Sequence, residues 1–450
     1  MKFRTTAILL AVGLAAGLFY FLVEKPRDER LSRDAESEGI LTRVAPEEVE
    51  TLTVERADHT IAARRDGAGW RMTSPVEDSG DAGAFNTLIL SVCGAAVERR
   101  IETHGEGLSE YGLDPPAAIL RLSRSDGRVL VDLRIGEHNV TKSHCYATVG
   151  AGPTVLLIPS AVRRYSLRPL FEYRNPRIVE IAVEDVSAIG VSSPGRAMEW
   201  RHDRPARSWF TVESGDTISG DSTAVQALIR ELRGLRARDI PAGGPENRDR
   251  YLEPLAGSVV LGRAGDTEAL TLRFGAARDG ACYVERSNDG RISLVDTTVL
   301  DIFGRTLNEL RDRKLVRYAD QDLYKVALET PGRNLSIVRS GPRWTYANPG
   351  FGDIGEESGR NLLALVRELK CDTVIAEKIP AARDYGFSKP SFRLVLFDEA
   401  GRAIDEVRAG TAAPGEGMTY VTSLSAPYLA SISESTLSAL ESRFTAPGAR

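Results

Sequence analysis

The chain has 450 residues, 42% hydrophobic and 27% charged, with a formal net charge of −5 and four cysteines. That length exceeds one ordinary core and predicts about three domains. The composition excludes bulk disorder, and the missing basic excess argues against nucleic acid as a partner. Cys93, Cys145, Cys282 and Cys371 are each more than fifty residues apart, so neither a local zinc site nor a disulfide scaffold is expected.

Residues Ala7–Val23 read AILLAVGLAAGLFYFLV, behind a head containing Lys2 and Arg4. Seventeen helical residues span about 26 Å, near the roughly 30 Å of a bilayer core. A cleaved signal peptide would place small residues just after the apolar run. The cluster Ala15-Ala16-Gly17 lies inside it, so residues 1–24 are read as a cytoplasmic head and an uncleaved transmembrane anchor. Residues 25–39 form a charged linker, with Lys25, Arg27, Arg30 and Arg33. A short basic head before the first apolar run is expected to leave the bulk of the chain outside the cytoplasm, on a single-pass inner-membrane protein.

Three of the four tryptophans, Trp70, Trp209 and Trp344, are 139 and 135 residues apart. Each is followed by a tyrosine (Tyr111, Tyr251, Tyr385), a glycine 66 residues on (Gly136, Gly275, Gly410) and a second tyrosine (Tyr146, Tyr283, Tyr420). Four landmarks in constant order predict three tandem units, at 40–176, 177–314 and 315–446.

Within each unit, short alternating runs such as VETLTVER predict half-buried strands. A helix follows each tryptophan. Val225, Leu228, Ile229, Leu232 and Leu235 share one face behind Asp221 as cap; Phe85, Ile89, Val92 and Ala96, and Leu362, Leu365, Val366 and Leu369, are the counterparts. Ile101, Ile240 and Ile379 close these regions, and the longer interval before Ile379 predicts an extra helical turn in the third unit. Asp126-Gly127 predicts a hairpin. The expected class is α+β: a largely antiparallel sheet per unit, with one main helix and a short closing helix.

Together with the anchor, W-x-x-x-x-P (Trp70–Pro75, Trp344–Pro349), Y-G-[LF]-x-x-P (Tyr111–Pro116, Tyr385–Pro390), Gly136, Tyr146 and the closing R-[ND]-x-[RK]-[IL]-V (Arg174–Val179, Arg311–Val316) resemble the bacterial domain of unknown function 4340 family. The second unit departs at Tyr251-Leu-Glu-Pro, which lacks the glycine. The resemblance implies a membrane-anchored extracytoplasmic protein associated with ABC-type transporter genes of the gliding-motility kind. It brings no catalytic residues.

Two repeated features are candidates for contact with a partner. The loops holding Tyr111 and Pro115, Tyr251 and Pro254, and Tyr385 and Pro390 form a possible recognition edge, because loops carry function more often than cores. Trp70, Trp209 and Trp344 are read as core anchors rather than a stacking platform for sugars. His138, His144 and Cys145, with Asp132 and Glu137 nearby, lie close in sequence, but 144 and 145 would point to opposite faces of a strand, so no metal is expected. Cys93 and Cys371 are assigned one helix position and a buried, structural role. Glu184-Asp185 and Glu356-Glu357 are read as surface pairs. The chain has no GxSxG, HExxH, GxxxxGK[ST] or strand-borne GxGxxG, so neither catalysis nor nucleotide or other cofactor binding is expected. The function expected is that of a non-catalytic membrane-tethered interaction protein, auxiliary to an ABC-type transporter or envelope complex. A polysaccharide- or peptidoglycan-binding module and a hydrolase with an unrecognised site are the alternatives.

Overall fold

A computed structural model describes residues 39, 41–103, 107–241, 248–348, 351, 353–381 and 383–444. The proposed anchor at 7–23 and nearly all of the linker lie outside the described residues. Among those described, no helix is long and apolar enough to cross a membrane. The chain divides into two compact units, Met1–Arg177 and Ile178–Arg450. The first holds one sheet and the second holds two.

The first sheet contains β1 (Thr51–Glu55), β2 (Thr60–Asp66), β3 (Gly69–Ser74), β4 (Asp78–Gly80), β5 (Arg99–Glu102), β6 (Ala118–Ser123), β7 (Val129–His138), β8 (His144–Val149) and β9 (Thr154–Pro159). Their spatial order is β4-β3-β2-β1-β6-β7-β8-β9-β5. Two four-stranded meanders therefore meet through their first strands, β1 antiparallel to β6. Each meander runs into a helix, Ala82–Cys93 after β4 and Ser160–Ser166 after β9, and the two helices pack together on one face of the sheet. The arrangement is a meander–helix element used twice about a local two-fold.

The second sheet comprises β10 (Val186–Ser193), β11 (Arg196–Asp203), β12 (Ser208–Glu213), β13 (Asp216–Gly220), β14 (Leu255–Arg263), β15 (Leu270–Gly275), β16 (Ala281–Arg286) and β17 (Ile292–Asp296). The third comprises β18 (Lys325–Thr330), β19 (Arg333–Ser340), β20 (Arg343–Tyr346), β21 (Thr373–Ala376), β22 (Phe392–Phe397), β23 (Ala403–Ala412), β24 (Met418–Ser423) and β25 (Leu429–Ser433). Both repeat the central strand order of the first, joined at β10–β14 and at β18–β22, but have eight strands rather than nine: among the described residues the second has no counterpart of β5 and the third none of β4. All pairings between named strands are antiparallel, and the class is α+β.

Strand alternation builds the cores. Leu52, Val54, Leu120, Leu122 and Leu133 point from the first sheet onto Phe85, Leu88, Ile89 and Val92 of the helix, and all are essentially inaccessible. In the second sheet the helix Ser222–Gly234 starts where Asp221 accepts the amide N–H groups of Thr223 and Ala224, which would otherwise lack partners. Its buried residues Val225, Leu228, Ile229 and Leu232 recur at three- and four-residue steps, while Leu235 is the residue that ends it. Asp81 caps the first helix in the same way, a signal not read from the sequence. Gly127, at φ +81°, makes the turn into β7, where a side chain would be strained.

Three expectations are corrected. The helix of the third sheet, Glu356–Arg367, has 12 residues, as does Ala82–Cys93, so there is no extra turn. Counted from the tryptophans, Ile375 on β21, and not Ile379, stands at the place of Ile101 on β5. Cys93 and Cys371 accordingly do not share a position. Cys93 is the last residue of its helix, and Cys371 lies past the end of Glu356–Arg367. The closing segments also differ: a 3-10 helix at Thr297–Gly304 in the second sheet, and 11 residues at Glu434–Phe444 in the third.

Candidate functional site

The repeated landmarks converge. In each sheet the first tyrosine packs on the second, with ring centroids 4.8 Å apart for Tyr111–Tyr146, 4.6 Å for Tyr251–Tyr283 and 4.9 Å for Tyr385–Tyr420. The glycine lies under the first tyrosine's backbone: a Cβ on Gly275 would fall 2.7 Å from the Tyr251 carbonyl oxygen, and on Gly136 or Gly410 closer still to those of Tyr111 and Tyr385. The six tyrosines are half-buried, whereas Pro115 and Pro254 are exposed and Pro390 is half-buried. The tyrosine–proline loops are thus bound down to the sheet through their tyrosines, while Pro115 and Pro254 face solvent.

The tryptophans lie inward. Trp70 is 3% exposed, stacks on Phe85 and donates from Nε1 to Asn86 Oδ1 at 3.0 Å. Trp209 is 2% exposed, and among the described residues its Nε1 has no acceptor. Trp344 is half-buried against the third core. Trp70 and Trp209 present no open ring face of the kind a sugar-stacking platform needs.

The histidine–cysteine cluster disperses. His144 Nε2 meets Glu98 at 2.8 Å and its Nδ1 meets Ser143, whereas the Cys145 thiol points into the core. Asp132 lies 3.6 Å from Arg121, and Glu137 lies 3.2 Å from Arg163. Among the described residues no three metal-ligating side chains converge. Asp185 pairs with Arg263 and Glu356 with Arg360.

A different region stands out on the outer face of the sheets, opposite the helices, where strand pairing makes positions directly comparable. The pair Thr53–Arg121 of the first sheet corresponds to Gly190–Val260 of the second and Ala327–Val395 of the third. One step along, Glu55 and Glu329 stand where the second sheet has Ser192. Across the ladder, Asp132 and Glu406 stand where it has Thr271.

In the first sheet these acids hold Arg121, which pairs with Glu55 and Asp132. In the third, Arg393 spans Glu329 (2.9 Å) and Glu406 (2.6 Å), and Glu406 also takes Arg408 at 2.7 Å. These arginines hold the Glu406 carboxyl below the usual carboxylate range, the Arg408 hydrogen bond first, against the raising effect of burial. Both faces are thus covered by ionic networks.

The second sheet lacks such a network at these positions. Its floor is Ala188, Gly190 and Ser192 of β10 with Ser258, Val260 and Gly262 of β14, which leaves an open trough of about 720 Å³. Exposed Val212 and half-buried Phe210 of β12 form one wall, with the Glu199–Arg201 ion pair (2.8 Å) beside them and Glu213 at the end. Glu213 makes no ion pair among the described residues. Sequence reading missed this site. A residue-by-residue comparison of strand faces between units would have shown it, but the pairing of strands has to be known first.

Three antiparallel sheets of one central strand order, each backed by helices, with loops tied down by paired tyrosines, define an α+β multi-sheet protein. The chain belongs to the family described as Domain of unknown function (DUF4340), whose model matches residues 70–254 and 209–361. No curated protein matches it. Among solved structures, a DnaN sliding clamp (DNA polymerase III subunit beta) from Pseudomonas aeruginosa bound to griselimycin is 10% identical, covering 85% of this chain and 93% of its own, at a TM-score of 0.13. The beta subunit from DNA polymerase of Streptococcus pyogenes is 9% identical, covering 89% and 96%, at 0.13. Scores this low carry no inference about role.

Proposed function

We propose that this chain is a non-catalytic, membrane-tethered interaction protein, with its bulk outside the cytoplasm, auxiliary to a transporter of the ABC type or to an envelope complex. The trough carries the reading. At the central strand pair two outer faces carry arginine–carboxylate networks, whereas in the second sheet that pair is glycine, serine, alanine and valine, and its own network, Arg273 and Arg248 on Glu285, stands to one side on β15 and β16. An apolar concavity without convergent acid, base or nucleophile suits binding rather than a reaction. The apolar run at 7–23 and the charged tether behind it support the membrane attachment. Duplication into three tandem units, each an antiparallel sheet with a main and a closing helix, supports an extended surface rather than one enclosed site.

The test is topology together with recovery. Full-length protein with a C-terminal tag is expected in the membrane fraction, with the tag cleaved by protease added to spheroplasts and not to intact cells. After detergent solubilisation it should carry a membrane or envelope protein at constant stoichiometry. A protected tag, or a chain that purifies without a stoichiometric partner, overturns the reading.

A further inference from the structure

We propose that the trough on the second sheet receives an amphipathic α-helix of another protein, apolar stripe downward and basic flank toward Glu213. The inference rests on the binding role proposed above and names its partner.

Three physical arguments select a helix. The lining runs across β12, β11, β10 and β14, three inter-strand spacings or roughly 14 Å, and a helix with its side chains is about 10–12 Å across. The floor is the face of a sheet whose backbone groups are already committed to the β10–β14 ladder. An extended peptide would find no backbone partners there, whereas a helix satisfies its own. A glycan needs many hydroxyl partners, and the floor supplies only those of Ser192 and Ser258.

Charge selects the flank. Arg201 is bound to Glu199, so its charge is balanced, and Glu213 is left as the rim group without an ion pair among the described residues. A lysine or arginine beside the apolar stripe would meet it.

Gly190 offers a clean perturbation. A Cβ there would meet nothing closer than Val260 Cβ at 3.6 Å, and the glycine is not at positive φ, so Gly190→Leu fills the trough without straining the strand. Thr53→Leu, at the corresponding place on the first sheet, is the control.

The experiment uses the full chain in amphipol and a synthetic 18-residue Leu/Lys helix, with a Leu/Glu helix of equal stripe and a shuffled Leu/Lys peptide for comparison. Calorimetry should show saturable binding of the Leu/Lys helix and affinities about tenfold or more weaker for the other two. Gly190→Leu and Val212→Asp should each weaken binding about tenfold, with thermal unfolding of both variants confirming an intact fold. Carbodiimide should couple a peptide lysine to Glu213, and Glu213→Gln should abolish that adduct.

Binding that Gly190→Leu leaves unchanged overturns the proposal. So does saturable binding of chitohexaose in place of the helix, or a dimer of the chain alone that Gly190→Leu dissociates, since either gives the trough another occupant. If a native partner still co-purifies with Gly190→Leu, the binding role stands and the trough is not its site.

Discussion

Gly275 is packed so closely beneath Tyr251 that a methyl group on it would lie 2.7 Å from the tyrosine's carbonyl oxygen. Nothing in the strand itself demands glycine there. The loop carrying the tyrosine comes down on the strand end, and only a residue without a side chain leaves room. Gly275→Ala is therefore expected to cost roughly 1–3 kcal/mol through local displacement. Gly190→Ala, with no atom nearer than 3.6 Å, should stay within about 0.5 kcal/mol of wild type. Urea denaturation followed by tryptophan emission compares the two, and a wild-type midpoint for Gly275→Ala would remove the packing explanation.

Arg174 reaches back to the edge strand β4 and donates from Nε to Asp78 Oδ2 at 2.7 Å, with the two side chains only 10% and 3% exposed. Removing one partner deprives a buried charge of this ion pair. Asp78→Ala is expected to destabilise by about 3–5 kcal/mol, whereas the double variant Asp78→Leu with Arg174→Met should recover most of the loss. Calorimetric scans of the three proteins decide it. A single variant no worse than the double one would mean that the pair is not what holds the edge.

Burial raises the thiols of Cys145 and Cys282 to about 11 and pushes that of Cys371 up as well. At pH 8 all three are protonated and enclosed, so N-ethylmaleimide should modify them only as the protein unfolds. Cys93 is half-exposed, although burial first, and then Glu47 and Glu48, also raise its thiol. It should label first. Mass spectrometry of timed native samples gives the order, and early labelling of Cys145 would contradict the packing described.

Acid should weaken the second compact unit. The Arg408 hydrogen bond, opposed by burial and aided by Arg393, depresses the Glu406 carboxyl below 4.5. At Asp221 burial acts upward, but Lys370 and the amides of Thr223 and Ala224 outweigh it and leave the carboxyl below 3.8. A carboxylate depressed in the folded state adds stability that is fully present above its unfolded pKa and is lost as pH falls through the folded value. Denaturation midpoints should hold from pH 7 to about pH 4.5 and decline below it, less steeply in Glu406→Gln. An identical decline in that variant would assign the sensitivity elsewhere.

Particular residues mark how far the sequence could be read. The cap at Asp221 was legible because a capping side chain and the amides it serves are two and three positions apart. The tryptophan, tyrosine and glycine landmarks were legible as a recurrence, since recurrence needs no structure. Their meaning was not. That Tyr111 touches Tyr146 across 35 positions depends on how a loop falls on a sheet. The assignment of Ile379 failed because matching by residue type alone cannot separate a strand position from a coincidental isoleucine.

Local chemistry along the chain, then, determined the strand and helix alternation, the α+β class and the threefold recurrence, because period and capping act within a few residues. Tertiary structure alone decided that β1 lies beside β6, that Arg121 finds Glu55 and Asp132, and that Arg393 finds Glu329 and Glu406. It alone decided that Gly190 and Ser192 leave a trough where those networks would stand. Such contacts join residues tens of positions apart through strand order, which burial and long-range pairing fix together and which no short window of sequence contains.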